Sequence, residues 1–285
     1  MNVLSLFDGI SCGQIALNRA GVEYEKYYDS EIDKFAIKVT QKNYPETIQI
    51  GDIRGVKTAE LENINLIIGG SPCQGFSTAG QNLNFSDERS GLFFEFLRIL
   101  REIKPKYFLF ENVVMKKEYK DFISRKLGVK PVLIESSVLS AANRKRLYWT
   151  NIPIYGKPED KNIHFGDIRE HDVENKYYYS EKALKWFRTT ENRTGRKMKL
   201  IKDGDKMQTL EASMFRKYSV QRFFGIEDTK GIRYVTPTEC ERCMTVPDGY
   251  TSSVSDTQRY KQLGNGWTVD VIAWILGFIE QERGK

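Results

Sequence analysis

The chain has 285 residues with a formal net charge of +6 and four cysteines, long enough to bury a full core in one large domain or in a large and a small one. That cysteine usage excludes a disulfide framework, and the spacing does not build a four-ligand zinc site, so a reducing compartment is expected. No secretory signal opens "MNVLSLFDGISCG", and the longest apolar stretch, "VIAWILGFI", is about half of a bilayer span, which predicts a soluble cytoplasmic protein.

"NVLSLF" predicts a first strand, followed by a glycine-containing turn and a helix over "CGQIALNRAG" that Gly21 ends. "YEKYYDSEI" reads as a second strand and "DKFAIKVTQKNY" as a helix stopped by Pro45. Further strands are expected before Asp52 in "IQIGDIRG", in "NLIIGG" and in "KYFLFENV". A helix is expected over "GLFFEFLRILREI", whose Leu92, Phe93, Phe96, Leu97 and Leu100 recur at helical spacing. Strands alternating with helices imply an α/β fold with a doubly wound, mostly parallel, Rossmann-like sheet.

Beyond about residue 155 the periodicity fades, and a smaller irregular domain is expected. Order returns at "TPTECERCMTVPDGY" and in "TVDVIAWILGFIEQE", an apolar helix expected to return to the first domain. The expected division is a sheet domain of residues 1–155 plus 255–285 and a second domain of 156–254. Between Lys176 and Arg222, thirteen Lys or Arg stand against five Asp or Glu. Such a block suits a polyanionic partner or, as an isolated charge run, a solvated loop-rich face.

Ligands of a doubly wound sheet sit beyond the C-terminal ends of its strands. The "FDGISCG" loop follows the first strand, with Gly9 and Gly13 expected to let the backbone approach a ligand. Glu31, at the end of the second strand, suits the two hydroxyls of a ribose, and Asp52 suits an adenine amino group. The loop is not G-x-G-x-x-G, so a nucleoside without phosphates fits better than a dinucleotide.

"LIIGGSPCQGFSTAG" places Cys73 on a rim beyond a strand end, where a thiol is set to react; a buried loop thiol is the bland alternative. Even the few per cent of thiolate present at neutral pH is strongly nucleophilic. In "FLFENV", Glu111 ends the next strand on the same edge. Flanked by Phe110 and Val113, its carboxyl is expected to be kept protonated by burial, ready to donate to an electron-poor ring under attack. Arg144 and Arg146 in "SAANRKRLYWTNI" alternate on an extended segment and are expected to share one face, as surface charges or as contacts to a carbonyl or phosphate.

Seven stretches, "SLFDGISCGQIALNRAG", "GDI", "GGSPCQGFS", "ENV", "NRKRLYW", "TPTECERCMTVPDGYT" and "QLGNGWTVDVIAWI", follow one another in the order of the blocks of the DNA (cytosine-5) methyltransferases. The chain resembles that family over nearly all of its length outside residues 156–230. "GLFFEFLRIL", "LFENVV" and Trp267 are similar to the catalytic domains of animal de novo methyltransferases, whereas the length resembles a compact solitary bacterial or phage enzyme.

The resemblance implies S-adenosylmethionine as cofactor, bound by Phe7, Asp8, Gly9, Glu31, Asp52, Ile53, Pro72, Leu92, Asn265 and Trp267. It also implies a target cytosine flipped out of double-stranded DNA. Cys73 would add to C6, Glu111 would hold N3 and the exocyclic amine, Arg146 would bind O2, Arg144 would brace the site, and C5 would take the methyl group. Gln74, Ser77, Thr78 and Gln81 would close over the flipped base, while Arg193, Arg196, Lys197, Arg216 and Lys217 would contact phosphates from a target-recognition domain at 156–254.

A cognate restriction endonuclease in the same system is compatible with the resemblance, no stable protein partner is implied, and association with the nucleoid is expected when DNA is bound. No metal is expected, since Cys240-x-x-Cys243 has no second ligand pair; Thr236 and Arg242 in the same block organise the recognition region in the family. Cys12, beside the first loop, is expected to be a packing residue. The two histidines, His164 and His171, lie beyond the sheet domain, so a water chain is expected to remove the C5 proton.

Other activities leave other marks. A transfer-RNA methyltransferase on this scaffold would carry a Cys-Phe-Thr block, which is absent between 156 and 235, and the other RNA family relies on two catalytic cysteines. An exocyclic-amine methyltransferase would replace "SPCQ" by an Asp/Ser-Pro-Pro-aromatic loop. A non-catalytic relative would have lost Cys73, Glu111 or the first loop, and a cysteine hydrolase would need a histidine beside Cys73.

Overall fold

The computed structural model describes residues 1–72, 88–195, 197–215 and 224–283. Buried at every position, β1 (Asn2–Leu6) leads into α1 (Cys12–Ala20), which ends at Gly21 with φ 70°, a left-handed conformation that costs glycine nothing. Next come β2 (Lys26–Ser30) and α2 (Lys34–Asn43), the latter capped by Asp33, whose carboxylate accepts from Phe35 N at 2.9 Å. The first half then runs through β3 (Ile48–Gln49), β4 (Ile64–Gly69), α3 (Glu88–Ile103), β5 (Tyr107–Val113), α4 (Lys117–Leu127), β6 (Val132–Glu135) and β7 (Lys145–Thr150). The later chain holds α5 (Phe165–Ile168), α6 (Glu181–Thr194), β8 (Lys199–Ile201), β9 (Phe224–Asp228), β10 (Gly231–Arg233), α7 (Pro237–Cys243), α8 (Asp256–Asn265) and α9 (Val269–Arg283).

Two compact units result. The first comprises Met1–Glu135, Lys145–Pro158 and Val269–Lys285; the second comprises Ser136–Arg144 and Glu159–Thr268. In the first unit seven strands pair in the order β3-β2-β1-β4-β5-β7-β6. All neighbours from β3 to β5 are parallel, and β7 runs antiparallel to both β5 and β6. Strand order reverses between β1 and β4, and a doubly wound sheet binds its ligands at such a reversal, beyond the C-terminal strand ends. The loop after β1 and the C-terminal ends of β4 and β5 all lie on that edge.

Packing fixes these strand ends. Phe110 of β5 lies with its ring centroid 4.8 Å from Phe96, 5.3 Å from Phe93 and 5.9 Å from Trp149, and all four side chains are fully buried. Their tilted contacts add to the apolar burial that holds β5 against α3 and β7. Gly69 ends β4 opposite Leu6, where a Cβ would stand 2.7 Å from the Leu6 carbonyl oxygen; a larger residue would pry β4 from β1. Helix α9 does return to this unit, joined to α1 by the 2.6 Å ion pair of Arg19 with Asp270.

The second unit is more regular than its sequence suggests. Helix α6 runs for 14 residues with Ala183, Phe187 and Thr190 buried, a stripe too narrow to stand out among its charges. Strands β8, β9 and β10 form a separate three-stranded sheet. Arg233 and Glu239, neither exposed, form a bidentate pair at 2.7 and 2.9 Å. Glu239 also accepts from Thr236 N at 2.9 Å and so closes the capping box of α7. Removing Glu239 leaves the buried Arg233 charge with a longer ion pair to Asp228 at 3.3 Å, so Glu239→Ala should destabilise the protein by up to about 3 kcal/mol, read as an early transition in urea.

Candidate active site

The loop after β1 is built from left-handed residues: Phe7 at φ 61°, Gly9 at φ 65° and Ser11 at φ 60°. Two of the three are not glycine, so tertiary contacts hold the turn against its intrinsic cost. Phe7 N donates to Ser30 O at 2.9 Å, tying the loop to the end of β2. Immediately beyond that end, Glu31 accepts from Gly9 N at 2.9 Å through Oε2, and from Ile32 N at 2.7 Å and Asp33 N at 2.8 Å through Oε1. Three backbone donors therefore fix one carboxylate at the switch point. Such an anchored acceptor can take two adjacent hydroxyls without reorganising.

Gly13 serves another purpose than ligand approach. A Cβ there would meet Ile68 Cδ1 and Tyr27 Oη, both at 2.5 Å, so this glycine lets α1 sit on the sheet. Asp8 likewise faces inward: its Oδ1 accepts from the Tyr27 hydroxyl at 2.6 Å. Burial raises the Asp8 carboxyl above its ordinary range, with the Ser5, Tyr27 and Ser11 hydroxyls partly offsetting it. Asp52 is held below the usual carboxylate range by Arg54, whose side chain grips it at 2.5–3.1 Å and whose backbone N–H donates at 2.9 Å. Ile53 beside it is buried in the core cluster of this unit, and Leu92, partly buried, packs against that cluster.

Sequence patterning gave no sign of Asp29, a carboxyl with no exposed surface in the middle of β2. Burial, and then the charge of Asp8, push it up to about 9. The unfolded carboxyl titrates near 3.8, so between about pH 4 and that value the native state holds a proton the unfolded state has lost, and the group's contribution to stability falls as pH rises. Asp29→Asn should therefore show a thermal midpoint less dependent on pH across this window, and higher than that of the unmodified protein at its alkaline end.

Beyond β4, Ser71 is buried and Pro72 exposed. Cys73, Gln74, Ser77, Thr78 and Gln81 lie outside the described residues, as do Arg196, Arg216 and Lys217. Asn112, the residue after Glu111, donates to Ser71 O at 3.4 Å and to its Oγ at 3.5 Å. A weak polar tie thus joins the chain entering the cysteine loop to the end of β5.

Glu111 is nine-tenths buried, but not in an apolar enclosure: its Oε1 lies 3.0 Å from Arg146 Nε. Alternation along β5 sends Phe110 to the opposite face, while the antiparallel partner β7 brings Arg146 across from Val113. The two arginines expected to share a face have different partners. Arg144 belongs to the second unit and is almost fully buried, donating to the carbonyls of Leu210 at 3.1 Å, Gly264 at 3.3 Å and Gly266 at 2.8 Å. Its partners are carbonyls, as a planar fork of donors favours, and they belong to the protein itself.

Asn265 and Trp267 fall in the second unit, on either side of Gly266. Arg193 and Lys197 are exposed there, but the basic stretch is not uniformly solvated. Lys206 donates to the carbonyls of Ser137 at 2.7 Å, Ser140 at 3.2 Å and Ile163, and Lys176 pairs with Glu174 at 3.2 Å and Asp256 at 3.5 Å. Cys240 and Cys243 are both buried, and burial pushes the Cys243 thiol well up; Cys12 is buried as well. No helix among the described residues is long and apolar enough to cross a membrane.

Comparison with known proteins matches this arrangement. The family described as C-5 cytosine-specific DNA methylase matches residues 1–126 and 133–281. The type II methyltransferase M1.ScrFI of Lactococcus lactis subsp. cremoris is 31% identical over 297 residues, covering 95% of this chain and 75% of that protein. For the type II methyltransferase M.NlaX of Neisseria lactamica the figures are 30% over 296 residues, 96% and 94%. The Entamoeba histolytica methyltransferase EhMeth shares the fold, with a TM-score of 0.81 at 18% identity over 100% of this chain and 99% of that one. A family match over almost the whole sequence, on a doubly wound sheet that carries the expected acid at the end of β5, has one reading: the chain belongs to the C-5 cytosine-specific DNA methylases and is a DNA (cytosine-5) methyltransferase.

Proposed function

We propose that the protein methylates C5 of a cytosine flipped out of double-stranded DNA within a short recognition sequence, through a transient covalent bond from Cys73 to C6. The observation that carries this reading is the Glu111–Arg146 pair, 3.0 Å apart at the mouth of β5 and β7, one strand over from the β4 end that leads into Cys73. A carboxyl and a guanidinium in fixed relation match the hydrogen-bonding edge of cytosine, Glu111 toward N3 and the exocyclic amine, Arg146 toward O2.

The first loop fits an adenosine group without phosphates. Glu31 is pre-anchored for ribose hydroxyls, Asp52 stands at the adenine end with buried Ile53 beside it, and Phe7, Gly9, Pro72 and Leu92 complete the lining within the sheet unit. Asp8 would line the loop through its backbone, since its carboxyl faces β2. When bound there, S-adenosylmethionine supplies an electrophilic methyl group on a sulfonium.

The Cys73 thiolate forms the Sγ–C6 bond, and the displaced electron pair moves toward N3, where Glu111 shares a proton with it. C5, now nucleophilic, takes the methyl group. The C5 proton then leaves and the Sγ–C6 bond breaks, returning the thiolate. His164 and His171 both belong to the second unit, so water is the base assigned to that proton. Arg144, two residues before Arg146 in the chain, acts as a brace by holding the carbonyls of Leu210, Gly264 and Gly266.

The second unit is assigned to target recognition, with Arg193, Arg196, Lys197, Arg216 and Lys217 contacting phosphates and Gln74, Ser77, Thr78 and Gln81 closing over the flipped base. A cognate restriction endonuclease in the same system is compatible with this reading, as is solitary action, and no stable protein partner is part of it. Bisulfite sequencing of plasmid DNA from cells expressing the protein tests the reading. Protected cytosines within one short motif are expected; uniformly converted DNA from cells holding folded protein would overturn it.

A further inference from the structure

The first loop is held from behind by a buried amide that the proposed chemistry does not use. Gln14, in the first turn of α1, is 2% exposed, and its side chain reaches three separate stretches of the chain. Nε2 donates to Ser11 Oγ and to Thr47 Oγ1, both at 2.8 Å, while Oε1 accepts from the Tyr24 hydroxyl at 2.9 Å. Both amide donors are therefore committed, and so is the amide oxygen. Thr47, itself buried just before β3, is fixed in turn: its N–H donates to Tyr44 O at 3.1 Å and its carbonyl accepts from Gln41 Nε2 at 2.9 Å. With that end anchored, the other donor holds Ser11.

Ser11 is the residue whose conformation requires a hold. It has no exposed surface and lies at φ 60° and ψ 40°, a left-handed geometry that a residue other than glycine adopts at a cost. Although it occupies the N-cap position of α1, its side chain caps no N–H of that helix, unlike Asp33 before α2. The bond from Gln14 stands in for the missing cap. Ser11 N also donates to Asp8 O at 3.3 Å, and Gly9 between them donates to Glu31, so a change of φ at Ser11 turns this whole segment relative to α1. A buried amide with three bonds stabilises any fold, but only one of these bonds falls on a strained residue of the loop.

We propose that Gln14 is a positioning residue for the cofactor, keeping Ser11 left-handed and thereby the first loop in its binding form before the ligand arrives. The inference rests on the reading of Gly9 and Glu31 as cofactor contacts. Without the bond from Gln14, Ser11 relaxes toward negative φ in the free protein, and only a fraction of molecules presents Gly9 and Glu31 together. Apparent affinity falls by that fraction. Saturating cofactor restores the loop, so the chemical step keeps its rate.

Gln14→Leu removes the three bonds and leaves an apolar side chain in the buried position. Calorimetric titration with S-adenosylmethionine should show Kd weakened about 5- to 30-fold, the factor expected of one left-handed residue. The cofactor KM should rise likewise, with kcat at saturating cofactor and the KM for DNA unchanged. Ser11→Gly should bind the cofactor as the unmodified protein does, and adding it to Gln14→Leu should restore the affinity, because glycine adopts this φ without penalty. A merely structural amide would leave a loss that glycine does not repair. Unchanged affinity in Gln14→Leu, or a loss that persists in the double variant, overturns the proposal. Should Gln14→Leu not fold, the serine decides alone: Ser11→Ala, which loses the hydroxyl but keeps the penalty, should bind more weakly than Ser11→Gly, and equal affinities overturn the proposal. Unmodified protein that binds no S-adenosylmethionine overturns the cofactor reading, and this inference with it.

Discussion

Cys73→Ser is expected to abolish methyl transfer, by a factor on the order of 10⁴–10⁶, while leaving cofactor affinity nearly unchanged. The asymmetry follows from the chemistry of the two atoms. A free thiol near pKa 8.5 supplies a few per cent of thiolate at neutral pH, whereas a serine hydroxyl supplies essentially no alkoxide without an adjacent base. The acceptors assigned to the cofactor are held independently of the cysteine loop: Glu31 is fixed by Gly9, Ile32 and Asp33. Incorporation of labelled methyl groups into DNA, beside calorimetric titration of cofactor, separates the two effects. A variant that has lost both would point to a collapsed loop rather than a missing nucleophile.

Glu111→Gln should lower the methylation rate by about 10²–10⁴ without weakening cofactor binding. Glutamine preserves the shape and an N–H donor but cannot transfer a proton to the ring. It also replaces the carboxyl oxygen 3.0 Å from Arg146 Nε, loosening the hold on the guanidinium that would meet O2. Single-turnover kinetics with saturating cofactor isolate the step. A rate within a few-fold of the unmodified enzyme would show that the ring gains its proton elsewhere.

Much of the sheet unit was legible because its signals are local. "NVLSLF", "NLIIGG" and "KYFLFENV" are apolar runs closed by turn residues, and they became β1, β4 and β5. Helix α6 was missed because burying only Ala183, Phe187 and Thr190 leaves most of its surface charged. Gly13 carried a signal with the wrong cause: a loop glycine suggests ligand approach, yet its neighbours are Ile68 and Tyr27, far away in sequence.

The site divides the same way. Glu31 and Glu111 stand at strand ends, where alternating α/β patterns place ligand contacts, so spacing alone could nominate them. The partner of Glu111 could not be nominated, because pairing β7 antiparallel to β5 is a decision of tertiary structure. Arg144 and Arg146 look equivalent in "NRKRLYW", but one is consumed by three carbonyls of the second unit and the other meets an acid. Lys206 shows why a count of basic residues overstates a charged surface, since its ammonium satisfies backbone carbonyls. Asp29 gave no sign at all, being one acid between an aromatic pair and a serine.

The central claim is a covalent bond between Cys73 and C6 of the target base, and the most direct measurement is trapping. DNA in which the target cytosine carries fluorine at C5 has no proton there to lose, so elimination cannot follow methyl transfer. With S-adenosylmethionine present, the protein should become joined to that DNA one-to-one, and mass spectrometry of the digest should place the nucleotide on the peptide containing Cys73. Active enzyme that turns over unmodified DNA yet leaves the fluorinated strand free, or carries it on another residue, would contradict the account.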